Sequence, residues 1–138
     1  MKNALLFTLL LLTDFSFSQG SARPKPKSPV EKKVYESVEK KAEFVGGKTA
    51  MMRFLSSNMA YPPSAIAKNL EGKCYVRFVV DRQGYISDVK VLRGVPRCPQ
   101  CDREAMRVIK AMPKWKPGRI GGKAVNSYFD IPINFKLQ

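Results

Sequence analysis

The eleven residues from Val125 to Phe135 constrain the fold of this 138-residue chain more than any other stretch. Val125, Ser127, Phe129, Ile131, Ile133 and Phe135 fall on one side of an extended backbone. Asn126, Tyr128, Asp130, Pro132, Asn134 and Lys136 fall on the other. A period of two with one apolar side specifies a β-strand that buries one face. Such a strand needs hydrogen-bonding partners and a layer to cover it, which excludes an all-helical fold. Pro132 narrows its place further. Proline cannot donate to a ladder, so inside a sheet it belongs at an edge or a bulge. An edge with proline in it is either guarded against aggregation or left open for docking.

The preceding elements supply the rest of the layer. Met51, Met52, Phe54, Leu55 and Met59 recur at three- and four-residue spacing, which predicts a helix over Thr49 to Met59. Tyr61-Pro62-Pro63 ends it, and Ser64 to Leu70 reads as a second short helix. Lys73 to Asp81 alternates, with Cys74, Val76, Phe78 and Val80 inward. Gln83-Gly84 is a turn, and Tyr85 to Leu92 returns with Val89 and Val91 inward, a β-hairpin pattern. After a loop over Arg93 to Cys101, Asp102 reads as a helix N-cap. Ala105, Val108, Ile109 and Met112 form the stripe of the helix that follows, and Pro113 stops it. Trp115 to Gly118 and Gly121-Gly122 are turns. The order of elements predicts an α+β domain: a three-stranded antiparallel sheet with helices packed on one face.

Residues 1–18 have the pattern of a cleavable export signal: Lys2, an apolar run from Ala4 to Thr13, and small Ser16 and Ser18 before the cleavage point. The run is short of the roughly 20 residues that span a bilayer, so the expected location is the periplasm. A retained anchor in the inner membrane, facing the periplasm, is the alternative. Residues 19–45 open with Arg23-Pro24-Lys25-Pro26-Lys27, a basic proline-spaced tether. Val30 to Phe44 reads as linker or marginal strand, and 46–138 as the folded domain. With 25 Lys and Arg against 11 Asp and Glu, the net charge is +14. Export makes nucleic acid the least suited anionic partner, leaving envelope polymers, lipid headgroups or an acidic protein segment.

Reactive chemistry is sparse. There is no histidine, which removes the commonest general base and metal ligand. Cys98-Pro99-Gln100-Cys101 can be a structural disulfide or a thiol–disulfide exchange pair. Alternatively, Cys74 can pair with one of the two. Three cysteines fall short of a structural zinc set. Asp81, Asp88 and Asp130 read as single solvated carboxylates, and the glycine pairs lack the strand-to-helix setting of phosphate loops. No catalytic residue, cofactor or metal site is assigned, and the chain is read as a binding protein and not an enzyme.

Several short motifs stand in order: Tyr61-Pro62, Glu71-Gly72-Lys73, Val76-Arg77-Phe78-Val79-Val80-Asp81, Gly84, Val89-Lys90-Val91-Leu92, Asp102-Arg103-Glu104-Ala105, Trp115-Lys116-Pro117-Gly118 and Ile131-Pro132-Ile133-Asn134-Phe135. Together, from about Gly46 to Leu137, they resemble the C-terminal domain of TonB-family energy transducers, in the form common among Bacteroidetes-type proteins. The resemblance implies a periplasmic module that engages outer-membrane TonB-dependent receptors, or another envelope protein, by pairing its last strand with a short receptor segment. The implied partner-binding residues are Val125, Asn126, Ser127, Tyr128, Phe129, Asp130 and Ile131. The chain departs from full transducers in its short apolar segment, brief tether and lack of an anchor histidine. A thiol–disulfide protein or a basic envelope- or cell-wall-binding protein are the alternatives.

Overall fold

The computed structural model describes residues 33–137, so the expected signal segment and the proline-spaced start of the tether lie outside the described residues. Two helices come first, α1 (Gly47–Asn58) and α2 (Pro63–Ala67), followed by the strands β1 (Gly72–Val80) and β2 (Ile86–Arg93). Helix α3 (Pro99–Lys110), a short ribbon of β3 (Gly118–Ile120) and β4 (Lys123–Val125), and finally β5 (Ser127–Phe135) complete the order. The main sheet runs β2-β1-β5, antiparallel throughout. This is the α+β architecture that the alternation predicts, with β1 central because it buries both edges and one face.

Cys74, Val76, Phe78 and Val80 of β1 are all fully buried, as are Val108 and Ile109 of α3. Burying each such side chain contributes roughly 1.5–3 kcal/mol. Trp115 sits at the crossing of three aromatic contacts, its centroid 5.3 Å from Phe78, 4.8 Å from Phe129 and 5.7 Å from Phe44, all edge-on. Edge-to-face pairs of this kind add about 0.5–1.5 kcal/mol each beyond area burial. Through Phe44 and Phe54, 5.8 Å apart, the same cluster reaches α1.

The hairpin turn is built by Asp81 and not by glycine alone. The Gln83 and Tyr85 N–H groups donate to its Oδ1 at 2.8 and 2.9 Å, an Asx arrangement that organises the chain reversal. Asp81 is therefore a structural acceptor, not a single solvated charge. Gly84 is held at φ 93°, and a Cβ there would lie 2.1 Å from the Trp115 carbonyl oxygen. The Trp115 N–H donates back to the Gly84 carbonyl at 2.9 Å. The residues after Pro113 are thus pinned into the core by Trp115.

Several element limits differ from the sequence pattern, each for a local reason. In α1 only Met51 and Leu55 are buried and Met52 faces solvent, because the helix packs by one narrow stripe. Helix α2 stops at Ala67, and Asn69 takes a left-handed φ of 53° before the buried Leu70. Helix α3 starts before Asp102: Cys98 is its N-cap and Pro99 its first residue, where a missing N–H costs nothing. Asp102 instead lies in the first turn, accepting from the Val95 N–H at 2.9 Å. The last strand is shorter than its pattern. Val125 leaves it to pair with Gly118 in the β3–β4 ribbon, whose tight turn is Gly121-Gly122. Asn126 forms the break between β4 and β5.

Candidate functional site

Strand β5 pairs with β1 on one side through nine residues in unbroken register, from Ser127 opposite Val80 to Phe135 opposite Gly72. Its other side is a sheet edge. The opposite edge, β2, is irregular: its pairing with β1 slips register at two places, and Asp88 there takes a left-handed φ of 49°. Bulges of this kind spoil an edge as a template for further strands. The long, regular, extendable edge is β5.

Which β5 groups point outward follows from one contact. Tyr35 forms a parallel bridge with Ser127: its N–H donates to the Asn126 carbonyl at 2.9 Å, and its carbonyl accepts from the Tyr128 N–H at 3.1 Å. Alternate residues of a strand bond to opposite sides. The outward row is therefore Asn126, Tyr128, Asp130, Pro132 and Asn134. Pro132 lies in this row, so its missing N–H removes no bond to β1. Among the described residues, no backbone bond continues the row beyond Tyr128.

Residues 33–44, which the sequence suggests as linker or marginal strand, run along the domain. After Tyr35 the segment exchanges backbone bonds with Arg119 through Lys40 and with Lys116 through Glu43. Ala42 and Phe44 are buried. Between this arm and β5 lies a groove. One part, of about 430 Å³, is bounded by Glu36, Lys41 and Ala42 on the arm and by Arg77, Tyr128 and Asp130 on the sheet. The next, of about 310 Å³, is apolar, lined by Phe44, Met51, Trp115, Phe129, Ile131 and Pro132. Ala42, Phe129 and Asp130 border both, so the two are continuous.

Asp130 is not a single solvated carboxylate. Arg77 grips it with two bonds, 2.7 Å from Nε and 3.0 Å from an amino group, and reaches Glu36 of the arm at 3.0 Å. The Arg77 guanidinium also lies 4.7 Å from the Tyr128 ring centre. Its hydrogen bonds hold the Asp130 carboxyl below the usual carboxylate range, against the opposing effect of burial. Asp88 lies exposed in β2.

The sequence-derived docking residues are thus divided. Tyr128, Asp130 and the backbone of Asn126 belong to the outward row, while Ser127 and Ile131 are buried under the sheet and Phe129 borders the groove. Val125 belongs to the ribbon. The groove and its outer wall escaped the sequence reading. Tyr35 and Phe44, two aromatic residues inside a charged stretch, were the available signal.

Cys98 and Cys101 form a disulfide with Cα atoms 5.2 Å apart, and both residues are fully buried. Cys74 is the free cysteine among the described residues, also buried. Burial first, and then the neighbouring Asp102 carboxylate, push its thiol up to about 12. Neither feature suits exchange chemistry, which needs an accessible sulfur and a thiolate. Among the described residues, no group of three or more acidic, cysteine or histidine side chains is placed to hold a metal ion. No helix among them is long and apolar enough to cross a membrane.

The family model for the Gram-negative bacterial TonB protein C-terminal matches residues 57–137, more than half of the chain. The chain belongs to this family. Within it, Protein TonB of Pseudomonas aeruginosa is 42% identical over 80 residues, covering 56% of this chain. The match spans only 22% of that relative's length. Two NMR solution structures of the Helicobacter pylori TonB C-terminal domain share the fold, with TM-scores of 0.51 and 0.50 at 22% and 24% identity. Each covers 65% of this chain, and 79% and 92% of the H. pylori chains respectively. The TonB C-terminal match ends at Leu137, so it includes all of β5.

Proposed function

We propose that this domain is a periplasmic binding module that takes up an extended segment of an outer-membrane TonB-dependent receptor, or of another envelope protein, as an added strand on β5. Its place is in TonB-linked transport across the envelope, and its work is binding without catalysis. One observation carries the reading: the outward row from Asp130 to Asn134 is regular, open among the described residues, and faces a groove. An added strand satisfies the Asp130 and Asn134 N–H groups and the carbonyls between them, and each such bond contributes roughly 0.5–1.5 kcal/mol. Family membership supports both the envelope setting and a TonB-like role in transport.

The test is an amide-resolved NMR titration with peptides spanning the TonB boxes of receptors. The Asp130 and Asn134 amides shift on binding, while amides of β2 do not. Peptides that leave the β5 amides unmoved end this reading. The buried Cys98–Cys101 bond weighs against the exchange alternative, and absence of insulin reduction by the oxidised or reduced protein is the matching expectation.

A further inference from the structure

We infer that the apolar pocket beneath the β5 edge is a side-chain subsite that selects segments carrying one bulky aliphatic or aromatic residue opposite the stretch Phe129 to Ile131. This rests on the strand-addition reading and names what that strand must contain. Directly opposed residues on neighbouring strands point to the same face of a sheet. Phe129 and Ile131 point to the helix-covered face, so the residue opposite them on an added strand does too. At that level the face is not closed. It opens into the pocket of about 310 Å³ between β5 and the arm, walled by Phe44, Met51 and Trp115. The volume suits a leucine or phenylalanine side chain and leaves an alanine mostly unsupported. The same strand's neighbouring side chains point the other way, beside Tyr128 and Asp130, where polar groups are tolerated.

The occupant is an extended partner segment and not a folded surface, for two reasons. The pocket borders a backbone row that is unpaired among the described residues, and its far wall, the arm, leaves a slot alongside the edge. Tyr35 already pairs in parallel with Ser127 at the first step of that slot, so one residue of the chain itself uses the edge there. Glu43 and Lys48 both border the pocket, and Glu36 and Lys41 the continuing groove, so its charges balance and the apolar wall carries the selection.

The only tryptophan in the chain, Trp115, lines the pocket and reports on it. The experiment uses synthetic eight-residue peptides of one β-prone host sequence without net charge, with Leu, Phe, Ala or Asp at the central position. Binding to the full chain is followed by Trp115 fluorescence and, in parallel, by the β5 amides. The Leu and Phe peptides are expected to bind at least roughly tenfold tighter than the Ala peptide, and the Asp peptide weakest, with Trp115 emission changing only for the bulky ones. Because the peptide is varied and the protein is not, folding does not enter. A second arm uses the Lys48→Phe variant, whose ring fills the pocket from its exposed rim. It is expected to retain β5 amide shifts and lose the preference for Leu over Ala. Equal affinity of Leu and Ala peptides with β5 amides shifting for both overturns the subsite and leaves strand addition standing. Unmoved β5 amides with every peptide overturn both.

Discussion

At the scale of single residues, Arg77 and Asp130 illustrate how far a sequence reading reaches. Their charges were visible, but their pairing depends on register: Arg77 is directly opposite Asp130 across β1 and β5. The pair also fixes a pH response. The folded-state pKa of Asp130 lies below its unfolded value. The pair's stabilisation is therefore present above the unfolded pKa, near 3.9, and is lost as pH falls through the folded value. The Asp130 side chain is 48% exposed, so solvent screens the pair and the effect is small. Acid unfolding followed by circular dichroism is expected to show Asp130→Asn already weaker than the parent at pH 7, with the difference narrowing as pH falls below about 4. A constant difference down to pH 2 would contradict the pairing. Gly84 makes the complementary case. Its turn was legible from Gln83-Gly84, but its strict requirement comes from the Trp115 carbonyl, a contact across thirty residues of chain. Gly84→Ala is expected to lose at least about 2 kcal/mol in urea unfolding, through both the close approach and the left-handed φ. A loss under 0.5 kcal/mol (on the order of a surface substitution) refutes that account.

At the scale of elements, the alternation of the last strand and the inward rows of the hairpin gave the sheet, because both depend only on neighbours in sequence. The β3–β4 ribbon was not legible, since three-residue strands carry too little pattern to stand out from the turns around them. The break at Asn126 was invisible for the same reason: Val125 fits the alternation as well as Ser127 does. Pro132, in contrast, correctly marked β5 as an edge, and its place in the outward row leads to a prediction. Pro132→Val restores an N–H on the open side and completes the row from Asp130 to Asn134. The variant is expected to self-associate at lower concentration than the parent in sedimentation velocity, by edge-to-edge pairing. An unchanged monomer–oligomer balance, with the fold intact by circular dichroism, argues that this side of β5 is not available.

At the scale of the whole molecule, the decisive difference concerns where the folded unit begins. The turn at Gly46-Gly47 suggested a boundary at residue 46, and the family match begins still later, at residue 57. Residues 33–44 nevertheless pack with the unit that contains the sheet. Composition misled here because the arm is charged: its buried residues, Ala42 and Phe44, are sparse and lack a period. They matter all the same. Phe44 packs against both Phe54 and Trp115, and the backbone bonds through Tyr35, Lys40 and Glu43 hold the arm in place. Losing a buried phenylalanine costs about 3–5 kcal/mol, so a fragment beginning at Gly46 is expected to be less stable than one beginning at Lys33 by at least that amount. It also uncovers the Tyr128 N–H. Peptides that pair with β5 are then expected to shift the Tyr128 amide as well as those of Asp130 and Asn134. Equal urea midpoints for the two fragments would show that the arm adds nothing to the fold. Equal midpoints together with an unmoved Tyr128 amide would also remove it as the outer wall of the groove, and the edge of β5 would then select its partner by backbone alone.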